Sequence, residues 1–131
     1  MATLLSPTVA ADDTVTRDTG FEVVVTAPPS VRQASAVAVT LALVAKDGRK
    51  LNEDYPFRID VSAPADVRVP KARLARADAL AFSVKGATFQ IGMTPNAAGS
   101  KQIQLEIRFA MCTDVNCEPY RRTINVPLHV R

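Results

Sequence analysis

The chain has 131 residues, enough for one domain with a real core and too few for two. Its net charge of +3 is mild, and its sixteen Lys and Arg residues are scattered with no run longer than Arg121-Arg122, which is not the footprint of a nucleic-acid binder. No apolar stretch reaches the ~20 residues that a membrane-spanning helix needs, so no transmembrane segment of that kind is expected.

Nine prolines, many valines and few long helical periods argue for an all-β architecture. Tryptophan is absent and other aromatics are few, so the core is expected to be mostly aliphatic. Met1 to Gly20 lacks a basic n-region and is not an intact secretory signal. Its Thr, Asp and Ala content reads as a flexible leader over 1–20, with the folded domain over 21–131. Because the two cysteines of the last hairpin suit an oxidising compartment, the chain is expected to be a mature exported fragment whose signal or lipid anchor has been removed, with Met1 added.

Phe21-Glu22-Val23-Val24-Val25 begins a first strand, which Pro28-Pro29 closes because proline cannot donate to a ladder. Ala36 to Val44 is the strongest strand, with Val37, Val39, Leu41 and Leu43 on its larger-residue face. Lys46-Asp47-Gly48-Arg49 then turns the chain, with Asp-Gly as the hairpin signal. Lys50 to Pro56 is a polar connection, and Phe57 to Val61 alternates apolar and charged like a half-exposed strand. Val67 to Val69 is a short strand stopped by Pro70, and Ala72 to Ala81 reads as a helical turn or a loop. Leu80 to Val84 and Thr88 to Thr94 read as strands around Lys85-Gly86, and Pro95 to Gly99 turns into the last hairpin. Seven to nine short strands with turns at such spacing predict an immunoglobulin-like β-sandwich, although the Cys…Trp…Cys spacing of immunoglobulin domains is absent.

The last hairpin holds both cysteines. Ile103, Leu105, Ile107 and Phe109 share one face of its first arm, and Ile124, Val126, Leu128 and Val130 share one face of its second. If Cys112 pairs with Cys117, then Phe109 meets Tyr120, Leu105 meets Ile124 and Ile103 meets Val126, so apolar residues face apolar residues. Arg122 opposite Ile107 is the one poor match. The alternation puts both cysteines on the face away from the core. Directly opposed residues have Cβ atoms roughly 4.5–5.5 Å apart, close to what a disulfide can bridge, so a Cys112–Cys117 bond is expected at an exposed sheet end.

From about Lys46 onward the chain resembles the N-terminal periplasmic domain of the DsbD thiol–disulfide interchange family and its stand-alone relatives. The resemblance rests on Gly48-Arg49-Lys50-Leu51-Asn52-Glu53-Asp54-Tyr55-Pro56-Phe57, on Phe89 to Gly99, and on Phe109 to Tyr120 followed by Val126-Pro127-Leu128. The loop between the cysteines is one residue shorter than in the best-known member, and the region matching that member's aromatic cap, about Arg76 to Leu80, has no aromatic residue. The resemblance implies an immunoglobulin-like fold in the periplasm or cell envelope. It also implies a redox role for Cys112 and Cys117, with a thioredoxin-like or membrane redox protein as partner and no cofactor.

The residues themselves leave two functions open. One is thiol–disulfide exchange, in which a thiolate attacks a partner's disulfide and the second cysteine resolves the mixed disulfide. Arg108, Arg121 and Arg122 stand near on the expected outer face and would favour a thiolate, while Asp114 and Glu118 oppose them. The other is a protein-binding scaffold whose Cys112–Cys117 bond only staples the loop Thr113 to Asn116. That bond closes a very short loop, so chain entropy places it at the low end of about 2–4 kcal/mol. No metal site is expected, because His129 lies about 40 Å along its strand from Cys117 at ~3.3 Å per residue. Asp12-Asp13 and Glu53-Asp54 read as solvated polar stretches, and Gly86, Gly92 and Gly99 are too spread for a phosphate loop.

Overall fold

A computed structural model describes residues 12–131. Eleven strands run in chain order: β1 Asp12–Asp18, β2 Phe21–Ala27, β3 Val37–Ala45, β4 Lys50–Leu51, β5 Arg58–Ser62, β6 Val67–Arg68, β7 Arg73–Ala75, β8 Ala81–Ser83, β9 Gly86–Pro95, β10 Gly99–Cys112 and β11 Cys117–Val130. They build two antiparallel sheets. One has the order β1-β2-β3-β9-β6, with β8 also paired to β9; the other has the order β11-β10-β5-β7, with β4 also paired to β10.

The two sheets close on one apolar core, as the period-2 patterns dictate. Phe21, Val23, Val25 and Ala27 of β2, Val39, Leu41 and Leu43 of β3, and Phe89, Ile91 and Met93 of β9 are buried from one side. Ile103, Leu105, Ile107, Phe109 and Met111 of β10, with Ile124, Val126 and Leu128 of β11, are buried from the other. No polar or charged residue is buried among the described residues. The chain is an all-β, immunoglobulin-like sandwich.

The aromatic residues are few but not scattered. All five phenylalanines and Tyr120 form one cluster at the end of the sandwich that carries the cysteines. Phe109 packs edge-on to Phe21 at 4.9 Å between centroids, and Phe57 stacks on Phe89 at 5.0 Å. Phe109 and Tyr120, cross-strand partners three positions from the cysteine pair, bring this cluster close to the cysteine end of the β10–β11 hairpin.

Three expectations change. The leader assigned to 1–20 is a strand from Asp12 to Asp18, while residues 1–11 lie outside the described residues. Asp12 to Asp18 pairs with Ala27 back to Phe21, closed by a two-residue Thr19-Gly20 turn in which Gly20 takes a positive φ of 93°. Its polar composition is that of an edge strand wet on both faces, where charge also discourages pairing with another chain. The segment Ala72 to Ala81 becomes β7 and a single 3-10 turn over Arg76–Asp78, which Asp78 Oδ2 caps by accepting the Ala75 N–H at 2.9 Å. The connection Lys50 to Pro56 begins with β4, because Leu51 is apolar and buried opposite Met111.

Candidate functional site

The register of the last hairpin is the one the cysteine pairing implies. Ile103 faces Val126, Leu105 faces Ile124, Phe109 faces Tyr120, and Cys112 faces Cys117. The two sulfurs are joined in a disulfide with Cα atoms 4.0 Å apart. Thr113 donates its N–H to the Asn116 carbonyl at 2.8 Å, so the neighbouring Cys112–Cys117 position is a non-hydrogen-bonded pair, where side chains of opposed strands come closest. The four-residue loop beyond it is tied internally: Thr113 Oγ1 bonds the Asn116 side chain at 3.0 Å and accepts the N–H groups of Val115 and Asn116 at 3.3 Å.

Both cysteines point away from the core. Cys117 is exposed and Cys112 is half-buried. The half-burial of Cys112 comes from β4, which pairs on its other side and sets Lys50 directly opposite it. Val115 stands 90% exposed in the loop between the cysteines.

The charged residues near the site are arranged differently from expectation. Arg122 is on the inner face, not the outer one. It ion-pairs with Asp18 of β1, and its guanidinium lies over Phe21 and Tyr120 at 5.4 and 5.3 Å from their centroids. That explains how an arginine sits opposite Ile107: its stem covers the rim of the core and its head is neutralised. Arg108 and Arg121 are on the outer face, directly opposed. They sit four residues from the cysteines, about 13 Å at ~3.3 Å per residue, beyond useful reach through screened water. Lys50, which the sequence did not single out, is the cation set beside Cys112. Glu118 faces Met111 and accepts a bond from the Tyr120 hydroxyl at 3.4 Å, and Asp114 is exposed in the loop.

The outer face of this sheet carries a second feature. Arg58 of β5, Arg108 of β10 and Arg121 of β11 are consecutive cross-strand partners, so three guanidinium groups stand in one row. The next row down holds Asp60 and Glu106, again direct partners. Arg108 and Arg121 share Glu106 at 3.3 and 3.9 Å, and Arg58 and Arg73 share Asp60 at 3.1 and 3.0 Å. Burial alone would raise the Asp60 pKa, but the bonds and charges of Arg73 and Arg58 outweigh it and hold the carboxyl below its usual value. Above the row, two adjoining hollows of about 340 and 200 Å³ share Tyr55 and Arg108 as walls, with Pro119 and Arg121 on one side and Pro56 and Arg58 on the other. The opposition of Arg108 and Arg121 follows from the hairpin register alone; Arg58 joins them only through a non-local pairing.

The remaining candidates are dispersed. His129 is exposed on β11 with Ser100 Oγ 3.3 Å from its Nδ1. Glu53 is held by Arg76, which donates to its carbonyl at 2.7 Å, and Asp13 accepts the Thr26 hydroxyl at 2.9 Å. Gly86 and Gly92 lie in β9 and Gly99 starts β10. Among the described residues no three His, Cys, Asp or Glu side chains are grouped to hold a metal ion, and no helix is long and apolar enough to cross a membrane.

No family model and no curated protein matches the chain. Solved structures do. The GAE domain of GGA2p from Saccharomyces cerevisiae superposes with a TM-score of 0.55 at 6% identity, over 88% of this chain and 98% of that one. AggA, the major subunit of aggregative adherence fimbriae type I of Escherichia coli, gives 0.43 at 12% identity over 94% and 98%. The cohesin module of a Clostridium perfringens family 33 glycoside hydrolase gives 0.40 at 10% identity over 95% and 100%. At such identities the likeness to the GAE domain carries the fold alone: this chain is similar to β-sandwich domains of the immunoglobulin kind.

Proposed function

We propose that the chain is a thiol–disulfide exchange module acting through Cys112 and Cys117 on a partner protein in the periplasm or cell envelope, with a thioredoxin-like or membrane redox protein as that partner. One observation carries this reading: the disulfide sits at the open end of a sheet, facing outward, with Cys117 exposed to an incoming sulfur.

In the reduced form, the Cys117 thiolate attacks one sulfur of the partner's disulfide. A mixed disulfide forms and the partner's other sulfur leaves as a thiolate. Cys112 then attacks Cys117 Sγ, closing the Cys112–Cys117 bond and releasing the second partner thiol. Two electrons pass to the partner, and the direction reverses when the partner is the dithiol. Exposure makes Cys117 the attacking sulfur and Cys112 the resolving one. Lys50, the cross-strand partner of Cys112, brings a cation to that side of the pair, which favours the resolving thiolate.

The alternative is a scaffold stapled by the bond, and the structure gives the staple little to hold. Fourteen residues of β10 already pair with fourteen of β11, and the loop is tied by Thr113. A cross-link closing so short a loop adds only the low end of about 2–4 kcal/mol.

Trapping tests the reading. Cys112→Ser leaves Cys117 without its resolving partner, so it accumulates mixed disulfides with thioredoxin-fold proteins from an envelope extract. Cys117→Ser accumulates fewer. If neither variant forms a covalent adduct, the scaffold reading replaces this one.

A further inference from the structure

We propose that the arginine row Arg58–Arg108–Arg121 is the docking site for an acidic, extended segment of the protein that exchanges disulfides with Cys112–Cys117, an inference that rests on the exchange function above. Three guanidinium groups in direct cross-strand opposition repel one another and weaken a sheet, so nothing in the fold calls for them. Counting the acidic row beneath, four guanidinium groups meet two carboxylates, which leaves two positive charges on this face unmatched among the described residues.

The surface between the row and the disulfide is shaped for a chain. The one intervening row is Ala110, which is buried beside the segment that follows β4, and Pro119, which is exposed, so the open path from the row to the disulfide runs over Pro119 toward Cys117. Tyr55 forms a wall, and the hollows of about 340 and 200 Å³ lie open above the arginines. From the cysteine pair to the arginine row is four residues along the strands, about 13 Å at ~3.3 Å per residue. An extended partner segment covers that span in four residues, so the geometry asks for a carboxylate four positions from the partner's reacting cysteine. A carboxylate fits the planar fork of arginine in two-point contact. A continuous polyanion does not fit. The next hollow along, of about 150 Å³, is lined by Asp60 and Glu106 and would repel a further phosphate.

The test uses the full chain and two sets of synthetic peptides. In the first set, cysteine-free eight-residue peptides carrying either Glu or Gln at the chosen position are titrated into the disulfide-bonded protein, and the arginine Nε–Hε and backbone signals are followed by NMR. The Glu peptide is expected to move the signals of Arg58, Arg108 and Arg121 and to bind at least about fivefold tighter than the Gln peptide at low salt, the preference vanishing in the Arg108→Gln/Arg121→Gln variant. Equal binding of the two peptides, or shifts confined to another face, would overturn the docking site.

In the second set, each peptide carries a cysteine as a mixed disulfide, with Glu four positions away on either side or adjacent. The reduced protein is expected to react fastest with a four-residue separation. No preference for that separation would also overturn the proposal. Binding without any exchange would overturn the exchange function instead, and with it the assignment of the row to an exchange partner.

Discussion

Asp18 and Arg122 lie 104 residues apart in the chain, and their ion pair ties the edge strand β1 of one sheet to the edge strand β11 of the other. The Asp18 carboxyl is held below its ordinary value of 3.8, first by the Arg122 bond and then by the Thr19 N–H, 2.7 Å away. A carboxylate with a depressed folded pKa stabilises above its unfolded value and loses that stabilisation as pH falls through the folded one. Protection of the β1 amides, taken relative to their intrinsic exchange at the same pH, is therefore expected to fall in acid, below the usual carboxylate range, before the rest of the sandwich opens. Asp18→Asn is expected to show the lowered β1 protection already at neutral pH. Equal protection of β1 in that variant and the parent at pH 7 would show that the pair holds nothing.

The aromatic cluster and the disulfide are expected to contribute unequally. Phe109 is buried against Phe21, Phe57 and Tyr120, so Phe109→Ala leaves a cavity and costs about 3–5 kcal/mol in urea unfolding. Reducing Cys112–Cys117 removes only a short-loop constraint and costs about 2 kcal/mol or less. A reduced protein that unfolds at room temperature would mean the bond is a staple after all.

The acidic row keeps the arginine row tolerable. Glu106 serves both Arg108 and Arg121, so Glu106→Gln leaves them facing each other uncompensated. A loss of about 0.5–1 kcal/mol is expected at low salt, shrinking as salt screens the repulsion. Thermal unfolding at two ionic strengths measures it. A loss that does not depend on salt would point to packing rather than charge.

Lys50 is expected to act on the chemistry and not on the fold. Lys50→Gln removes the cation opposite Cys112, so the resolving thiolate is less favoured, the mixed disulfide on Cys117 persists longer, and its resolution at neutral pH slows about threefold. The profile of rate against pH moves to higher pH while the thermal midpoint stays where it was. A slowed rate with an unmoved profile would place the effect of Lys50 elsewhere.

What the sequence disclosed follows locality. The hairpin register was legible because both arms and the loop lie within one continuous stretch, and alternation plus the cysteine pair admit one alignment. The strands β2, β3 and β9 were legible because each buries one clean face. β1 was not, because Thr14, Thr16 and Arg17 on an edge strand carry no burial signal. Arg122 was placed on the wrong face, although its opposition to Ile107 was already implied, because its neutraliser Asp18 belongs to that unrecognised strand. The arginine row needed the β5–β10 pairing, a contact between segments some fifty residues apart that no periodicity encodes. The gathering of every phenylalanine at the cysteine end is likewise a property of the assembled sheets.

The central claim is that Cys112–Cys117 exchanges rather than staples, and its reduction potential tests this most directly. Equilibration of the protein with defined dithiol buffers, read by mass after alkylation, gives the value. An exchanging pair at an exposed sheet end is predicted to lie above about −300 mV, within reach of thioredoxin-fold partners. A value well below that line, with no transfer to such a partner, would contradict the account and leave the bond as part of the scaffold.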